Sequence, residues 1–242
     1  MNNLNLVLPE IFISLSVMFL LILGVFKKNS SQLTFNLSLV TILVAIILTV
    51  NETFSVNRVT IFGDGIVIDR MASLMKIITL IGGFLVLGIS SNYLKTFKIF
   101  KIEYPILILS SVLGMMIMIS SNDLMVFYMG LELQSLALYV LATFNRDQLK
   151  SSEAGLKYFV LSALSSGLLL YGCSLIYGFS GSTNFDVIAN QLTSNEYALT
   201  FGIVFILVGL AFKISAVPFH MWAPDVYDCL LYTSDAADEC LC

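Results

Sequence analysis

Residues 104–144 read YPILILSSVLGMMIMISSNDLMVFYMGLELQSLALYVLATF. Two apolar runs, Tyr104–Ser120 and Leu124–Phe144, meet almost end to end, and only Asp123 and Glu132 in the whole stretch carry charge. About 20 apolar residues of helix cross the ~30 Å of hydrocarbon in a bilayer. The pair therefore reads as two membrane spans folded back on each other around Asn122 and Asp123.

Working outward, the same pattern recurs at Leu6–Phe26, Ser31–Val50, Met71–Ser90, Ala154–Phe179 and Tyr197–Val217. Of the 242 residues, 58% are hydrophobic and 12% charged, and the mean hydropathy is +0.93. Soluble domains carry about twice that share of charge. The predicted fold is all-α and polytopic, with about seven transmembrane helices. The net charge of −4, without a large basic cluster, excludes nucleic acid as a natural partner. The lipid bilayer is the expected surrounding. No cleavable signal sequence is expected, since no basic segment precedes the first run and further spans follow it.

Lysine and arginine placement orients the bundle. Lys27, Lys28, Lys95, Lys98, Lys101, Arg146 and Lys150 fall on one side and Arg58 and Arg70 on the other, seven against two. The N-terminus is expected outside, with the basic loops in the cytoplasm. Of the two long outer loops, 51–69 alternates Val, Ile and Phe with polar residues around Gly63-Asp64-Gly65, which predicts a β-hairpin. The second, 180–196, contains a short amphipathic piece at Phe185–Leu192.

Charges at membrane depth are costly and face the bundle interior or a hydrated cavity. Glu132, near the middle of the fifth span, reads as a proton-exchanging carboxylate or as half of a fixed ion pair. Lys213 lies in Gly209–His220 just before Pro218, which cannot donate to the Ile214 carbonyl four residues earlier. Broken helices of this kind build transport sites; the plainer reading is a proline kink with a snorkelling lysine. Lys157, one turn into the sixth span after Glu153, can snorkel. His220 is the only histidine; it serves either as a proton relay or as an interfacial hydrogen-bonding group. Lys76 and Glu10 read as interfacial. No histidine pair, cysteine cluster or glycine-rich nucleotide loop points to a redox or metal centre on this chain.

Four stretches together resemble a known family. They are Leu8-Pro9-Glu10-Ile11; Met129-Gly130-Leu131-Glu132-Leu133 continuing through Ser135–Leu141; and Glu153–Leu161 with Phe212–Tyr227. The chain resembles the antiporter-like subunit N, subunit 2 in mitochondria, of proton-pumping NADH:quinone oxidoreductase, respiratory complex I. The resemblance implies the N-terminal half of a fourteen-helix antiporter-like fold built from inverted repeats, each with a broken helix. It assigns residues 1–103 to a three-helix segment with the outer hairpin, and 104–228 to a partial proton-translocation repeat with a broken seventh helix.

The resemblance also implies function. Glu132 and Lys213 would belong to the proton pathway, with Lys157 connecting or modulating, His220 beside them and Pro218 at the helix break. NADH, FMN, iron–sulfur clusters and quinone would be bound by partner subunits, with no cofactor on this chain. Other membrane subunits of the complex would be partners. A bacterial plasma membrane is expected, a mitochondrial inner membrane being the alternative. The rival readings are a subunit of a multi-subunit cation/proton antiporter and a structural or assembly subunit. After Asp228 the resemblance stops, and 229–242, with Cys229, Cys240 and Cys242, reads as a non-native tail left by truncation.

Overall fold

The computed structural model describes residues 4–27, 30–53, 58–96, 99–145, 148–191 and 196–230. Lys28, Lys98, Arg146 and Leu192, and residues 231–242 of the tail, lie outside the described residues.

The helices are α1 (Leu8–Phe26), α2 (Ser31–Thr53), α3 (Arg70–Thr96), α4 (Glu103–Ser120), α5 (Leu124–Ala142), α6 (Leu149–Ser180), α7 (Phe185–Gln191), α8 (Glu196–Lys213) and α9 (Ala223–Leu230). The strands are β1 (Val59–Ile61) and β2 (Ile66–Ile68). Six helices, α1 to α6, are long and apolar enough to cross a membrane, and Leu199–Lys213 of α8 is a shorter apolar helix. Large apolar side chains such as Val25, Ile89 and Leu164 are exposed, the outward-facing pattern of a protein solvated by lipid.

The boundaries depart from the sequence reading where charge or a cap decides them. The third span runs on to Thr96 and the sixth begins at Leu149, before its apolar run. Helical hydrogen bonding continues past the hydrocarbon, and the 32 residues of α6 span about 48 Å at 1.5 Å per residue. Gly181 ends α6 in the left-handed conformation, its N–H donating to the Tyr177 carbonyl at 2.7 Å, as glycine commonly does at a helix C-terminus.

The chain forms two compact units. The first comprises residues 1–137 with 184–186, and the second 138–183 with 187–242.

In the first unit, buried residues recur every seven positions: Ile13 and Leu20 on α1, Phe35 and Ile42 on α2, Leu80 and Leu87 on α3, Leu109 and Met116 on α4. Seven residues are close to two helical turns, so each helix offers one stripe. Polar groups on these stripes are satisfied within their own helix: Ser38 Oγ donates to the Phe35 carbonyl at 2.7 Å and Thr49 Oγ1 to Ala45 at 3.1 Å. Lipid offers no alternative partner. A Cβ on Gly114 of α4 would lie 2.6 Å from the Gln134 backbone nitrogen on α5, and one on Gly130 2.8 Å from that of Met118. Small residues thus let the two backbones touch, as the tight α4–α5 hairpin requires. Asp123 begins α5 by accepting the N–H of Met125 at 2.7 Å, an N-cap.

The predicted β-hairpin is present, pairing Val59 with Ile68 and Ile61 with Ile66. Gly63 and Asp64 take φ of 64° and 67° at its turn, conformations glycine and aspartate accept readily. Asn122 ties the turn down: its N–H donates to the Gly65 carbonyl at 2.9 Å, and its Nδ2 to the Asp64 carbonyl at 3.1 Å and to Asp186 at 3.2 Å.

In the second unit, α6 and α8 pack through small residues. A Cβ on Gly172 would fall 2.8 Å from the Gly202 carbonyl, and one on Gly209 2.6 Å from Leu169 Cβ. Ser165 Oγ donates to the Gly209 carbonyl at 3.1 Å, a polar tie between these helices.

Candidate functional site

The second unit places Lys213 at the last helical position of α8. Beyond it the chain is non-helical until Ala223. The helix stops before Pro218 can act. Ser215 adopts φ of 56°, and the Ala216 N–H reaches back to the Ala211 carbonyl at 2.8 Å. A left-handed residue followed by such a bond is how helices commonly close. Pro218 lies inside the non-helical segment rather than at its start.

Lys213 is half-buried. Its Nζ donates to Tyr139 Oη on α5 at 2.9 Å and to Ser162 Oγ on α6 at 2.9 Å. Tyr139 Oη and Ser162 Oγ are hydrogen-bonded to each other, so ammonium and hydroxyls form a closed triangle. Tyr139 is 5% exposed and Ser162 fully buried. The ammonium also lies 5.6 Å from the Tyr139 ring centroid, within cation–π range.

Aromatic packing holds the triangle. Tyr158, one turn before Ser162 on the same face of α6, meets Tyr139 edge-on with ring centroids 4.7 Å apart and stacks on Trp222 at 4.2 Å. Trp222 Nε1 donates to the Phe212 carbonyl at 3.2 Å. The non-helical segment is therefore clamped back onto the end of the helix it follows.

Lys157 is not part of this triangle. Five residues before Ser162, it points about 140° away around the helix. It pairs with Glu153 at 2.8 Å and with Asp225 of α9 at 2.9 Å, with 45% of its side chain exposed. His220 has an exposed side chain, and its carbonyl accepts the Ala223 N–H at the start of α9 at 3.0 Å. Glu132 lies in the first unit, half-buried on α5.

Sequence reasoning did not single out Tyr139, Ser162 or Asp225. A buried lysine demands hydrogen-bond acceptors, and the motif containing Tyr139 and the serine one turn beyond Tyr158 were the available signals. A further correction concerns Glu10 and Lys76, read as interfacial. In the first unit Lys76 Nζ meets Glu10 Oε1 at 2.5 Å, with side chains 1% and 8% exposed. They form a buried ion pair.

Triangular contact lets the site do one thing chemically. Each hydroxyl can both donate and accept. If Lys213 loses a proton, its neutral amine can accept a hydrogen bond from either hydroxyl, so both keep a partner in either charge state. Among the described residues, no group of three or more His, Cys, Asp or Glu could hold a metal.

Comparison with known proteins adds to this geometry. Residues 121–230 match the family model described as NADH:quinone oxidoreductase/Mrp antiporter, TM. The chain is 72% identical over 228 residues to NADH-quinone oxidoreductase subunit N of Pelagibacter ubique (strain HTCC1062), covering 94% of this chain and 48% of the relative. It is 52% identical to the subunit N of Bartonella bacilliformis, covering 93% and 46%. Among solved structures, it superposes on a chain of respiratory complex I from Thermus thermophilus with bound aureothin (TM-score 0.76, 26% identity, 91% and 47% covered). It also shares its fold with a chain of the archaeal membrane-bound sulfane sulfur reductase (TM-score 0.80, 24% identity, 93% and 47% covered). The chain spans about half the length of the curated relatives it matches. It belongs to the family of antiporter-like membrane subunits of NADH:quinone oxidoreductase, and is a multi-pass protein of a bacterial inner membrane.

Proposed function

We propose that this chain is the proton-handling part of a translocating membrane subunit of NADH:quinone oxidoreductase. Electron transfer from NADH to quinone would take place in other subunits, which hold FMN, the iron–sulfur clusters and quinone. The other membrane subunits would be its partners.

Lys213 takes up and releases the proton. The observation that carries this is its placement at the end of an interrupted helix, with two of its hydrogen bonds made to the mutually bonded hydroxyls of Tyr139 and Ser162. Hydroxyls that both donate and accept can follow a lysine through a change of charge. The hydroxyls keep the ammonium in place in one state and donate to the amine in the other. Glu132, assigned by the family resemblance, sets the charge balance that favours one state. Lys157, paired with Glu153 and Asp225, has a connecting role, and His220 a subordinate one at the exposed end of the break.

The test is proton pumping by the assembled complex carrying Lys213→Met in the full-length subunit. Loss of pumping at least tenfold, with the complex still assembled, is expected; pumping at the wild-type rate would overturn the assignment. Sodium-dependent proton movement without NADH would instead favour a cation/proton antiporter subunit.

A further inference from the structure

Lys27, Lys28, Lys95, Lys98 and Lys101, five of the chain's 12 lysines and arginines, fall within or next to the connections α1–α2 and α3–α4 of the first unit. No Asp or Glu lies between Glu10 and Glu52, or between Asp69 and Glu103. These stretches are strongly basic in a chain whose net charge is −4. Membrane topology asks for an excess of lysine and arginine on one side but is nearly indifferent to acids. Their absence here leaves the positive charge standing.

The fold gathers part of this charge at one end of the unit. Lys27 directly follows α1 and is exposed. Segment 99–102 crosses the end of the bundle. Phe100 meets Phe35 of α2 with ring centroids 5.6 Å apart, and a Cβ on Gly24 of α1 would lie 2.8 Å from Ile102 Cγ2. Lys101, exposed, is thereby carried to the end of α1. Lys95 Nζ lies 5.4 Å from the Phe100 ring centroid. Beside the lysines, α1 turns an apolar face outward. Leu15, Phe19, Ile22 and Phe26 recur at helical spacing and are 64%, 57%, 53% and 84% exposed. From Leu15 to Phe26 this face is about 16 Å long, about half the ~30 Å of bilayer hydrocarbon, which is the depth of one leaflet. An occupant that uses both features is anionic at one end and apolar for the depth of a leaflet. A phospholipid with an anionic headgroup matches in charge and in length, whereas a free phosphate would leave the α1 face unused.

We propose that this end of the first unit binds an anionic phospholipid, with its phosphate among Lys27, Lys95 and Lys101 and its acyl chains along the exposed face of α1. Each lysine near the membrane surface strengthens the attraction for anionic lipid about fivefold. A zwitterionic phospholipid brings no net charge and is held by its acyl chains alone. Phe100 holds Lys95 by its ring face, and the N–H groups of the ammonium donate to the phosphate oxygens. The site uses no residue of the second unit, and it stands or falls independently of the role given to Lys213.

The test uses the intact membrane complex, carrying the full-length subunit, in phosphatidylcholine vesicles. The probe is phosphatidylglycerol with a photoactivatable group on one acyl chain, compared with phosphatidylcholine bearing the same group. Phosphatidylglycerol should label residues 15–26 at least tenfold more than phosphatidylcholine does. The triple variant Lys27→Gln/Lys95→Gln/Lys101→Gln should lower its labelling at least tenfold, and Lys27→Arg/Lys95→Arg/Lys101→Arg should retain it. Equal labelling of the wild type by the two lipids would reduce the α1 face to ordinary lipid contact and overturn the site. A preference that survives the glutamine variant would overturn it too, as would a map of the complex showing an acidic protein segment over Lys27 and Phe26. The wild-type comparison needs no variant, so the outcome is decided even if the glutamine variant fails to assemble.

Discussion

Lys76 is buried and Lys213 half-buried, and each is held by different groups. Lys76 is 1% exposed and lies against the Glu10 carboxylate. Lys213 is half-buried, and its ammonium donates to two hydroxyls. In the first case each charge is the other's partner, and removing either side chain strands the other in the interior. In the second, the hydroxyls serve either charge state. A lysine at membrane depth is thus not by itself a transport group; hydroxyls that can follow its change of charge, as Tyr139 and Ser162 can, set Lys213 apart.

The contrast is sharpest in the single variants of the sealed pair. Lys76→Met leaves a buried unpaired carboxylate and should destabilise the subunit by about 3–5 kcal/mol, read as loss of subunit from the membrane and a lower thermal inactivation temperature. The double variant Glu10→Leu/Lys76→Met should recover most of that loss, because two apolar side chains strand no charge. A double variant as unstable as the single one would break the ion-pair account.

Next in size are the close approaches that set each site. Gly114→Ala would place a methyl group 2.6 Å from a backbone nitrogen, and Gly209→Ala one 2.6 Å from Leu169 Cβ. Overpacking of this kind costs about 1–3 kcal/mol. The Gly209 variant should in addition reduce pumping, since it displaces α8, which ends in Lys213, from α6, which carries Ser162. Equal effects of the two variants on pumping per assembled complex would blur the distinction between the units.

Much of this was legible in the sequence. Apolar runs located the helices because lipid leaves the backbone no other way to satisfy itself. Gly63-Asp64-Gly65 announced the hairpin because few residues accept its turn conformations. The ion pair was missed because depth was judged one span at a time. Glu10 and Lys76 each follow the start of a span, and two intervening crossings put both starts on the same side. Helical side chains lean toward the N-terminus, which brings the long lysine stem back to the level of Glu10. The helix end was misplaced for a different reason: Pro218 is a conspicuous breaker, whereas the left-handed turn at Ser215 has no marker, since serine rarely takes that conformation. Tyr139 and Ser162 were invisible as partners because hydroxyls on apolar helices usually bond to their own backbone, as Ser38 and Thr49 do.

Smaller effects probe the triangle itself. Tyr139→Phe keeps the ring but removes a hydrogen bond to a charged group, about 1.5–3 kcal/mol, and should lower pumping several-fold with the complex still assembled. Unchanged pumping would show that the hydroxyl only packs. The smallest effect is expected at Asp225→Asn. Lys157 keeps Glu153 and is partly exposed, so thermal inactivation should stay within the scatter of the wild type; a large drop would mean that α9 depends on this contact.

The most direct measurement is proton pumping per NADH oxidised in the assembled complex bearing Lys213→Met in the full-length subunit. The account predicts that the complex assembles in near-normal amount, unlike Lys76→Met, and that proton translocation falls at least tenfold. Normal translocation by a fully assembled Lys213→Met complex would contradict it.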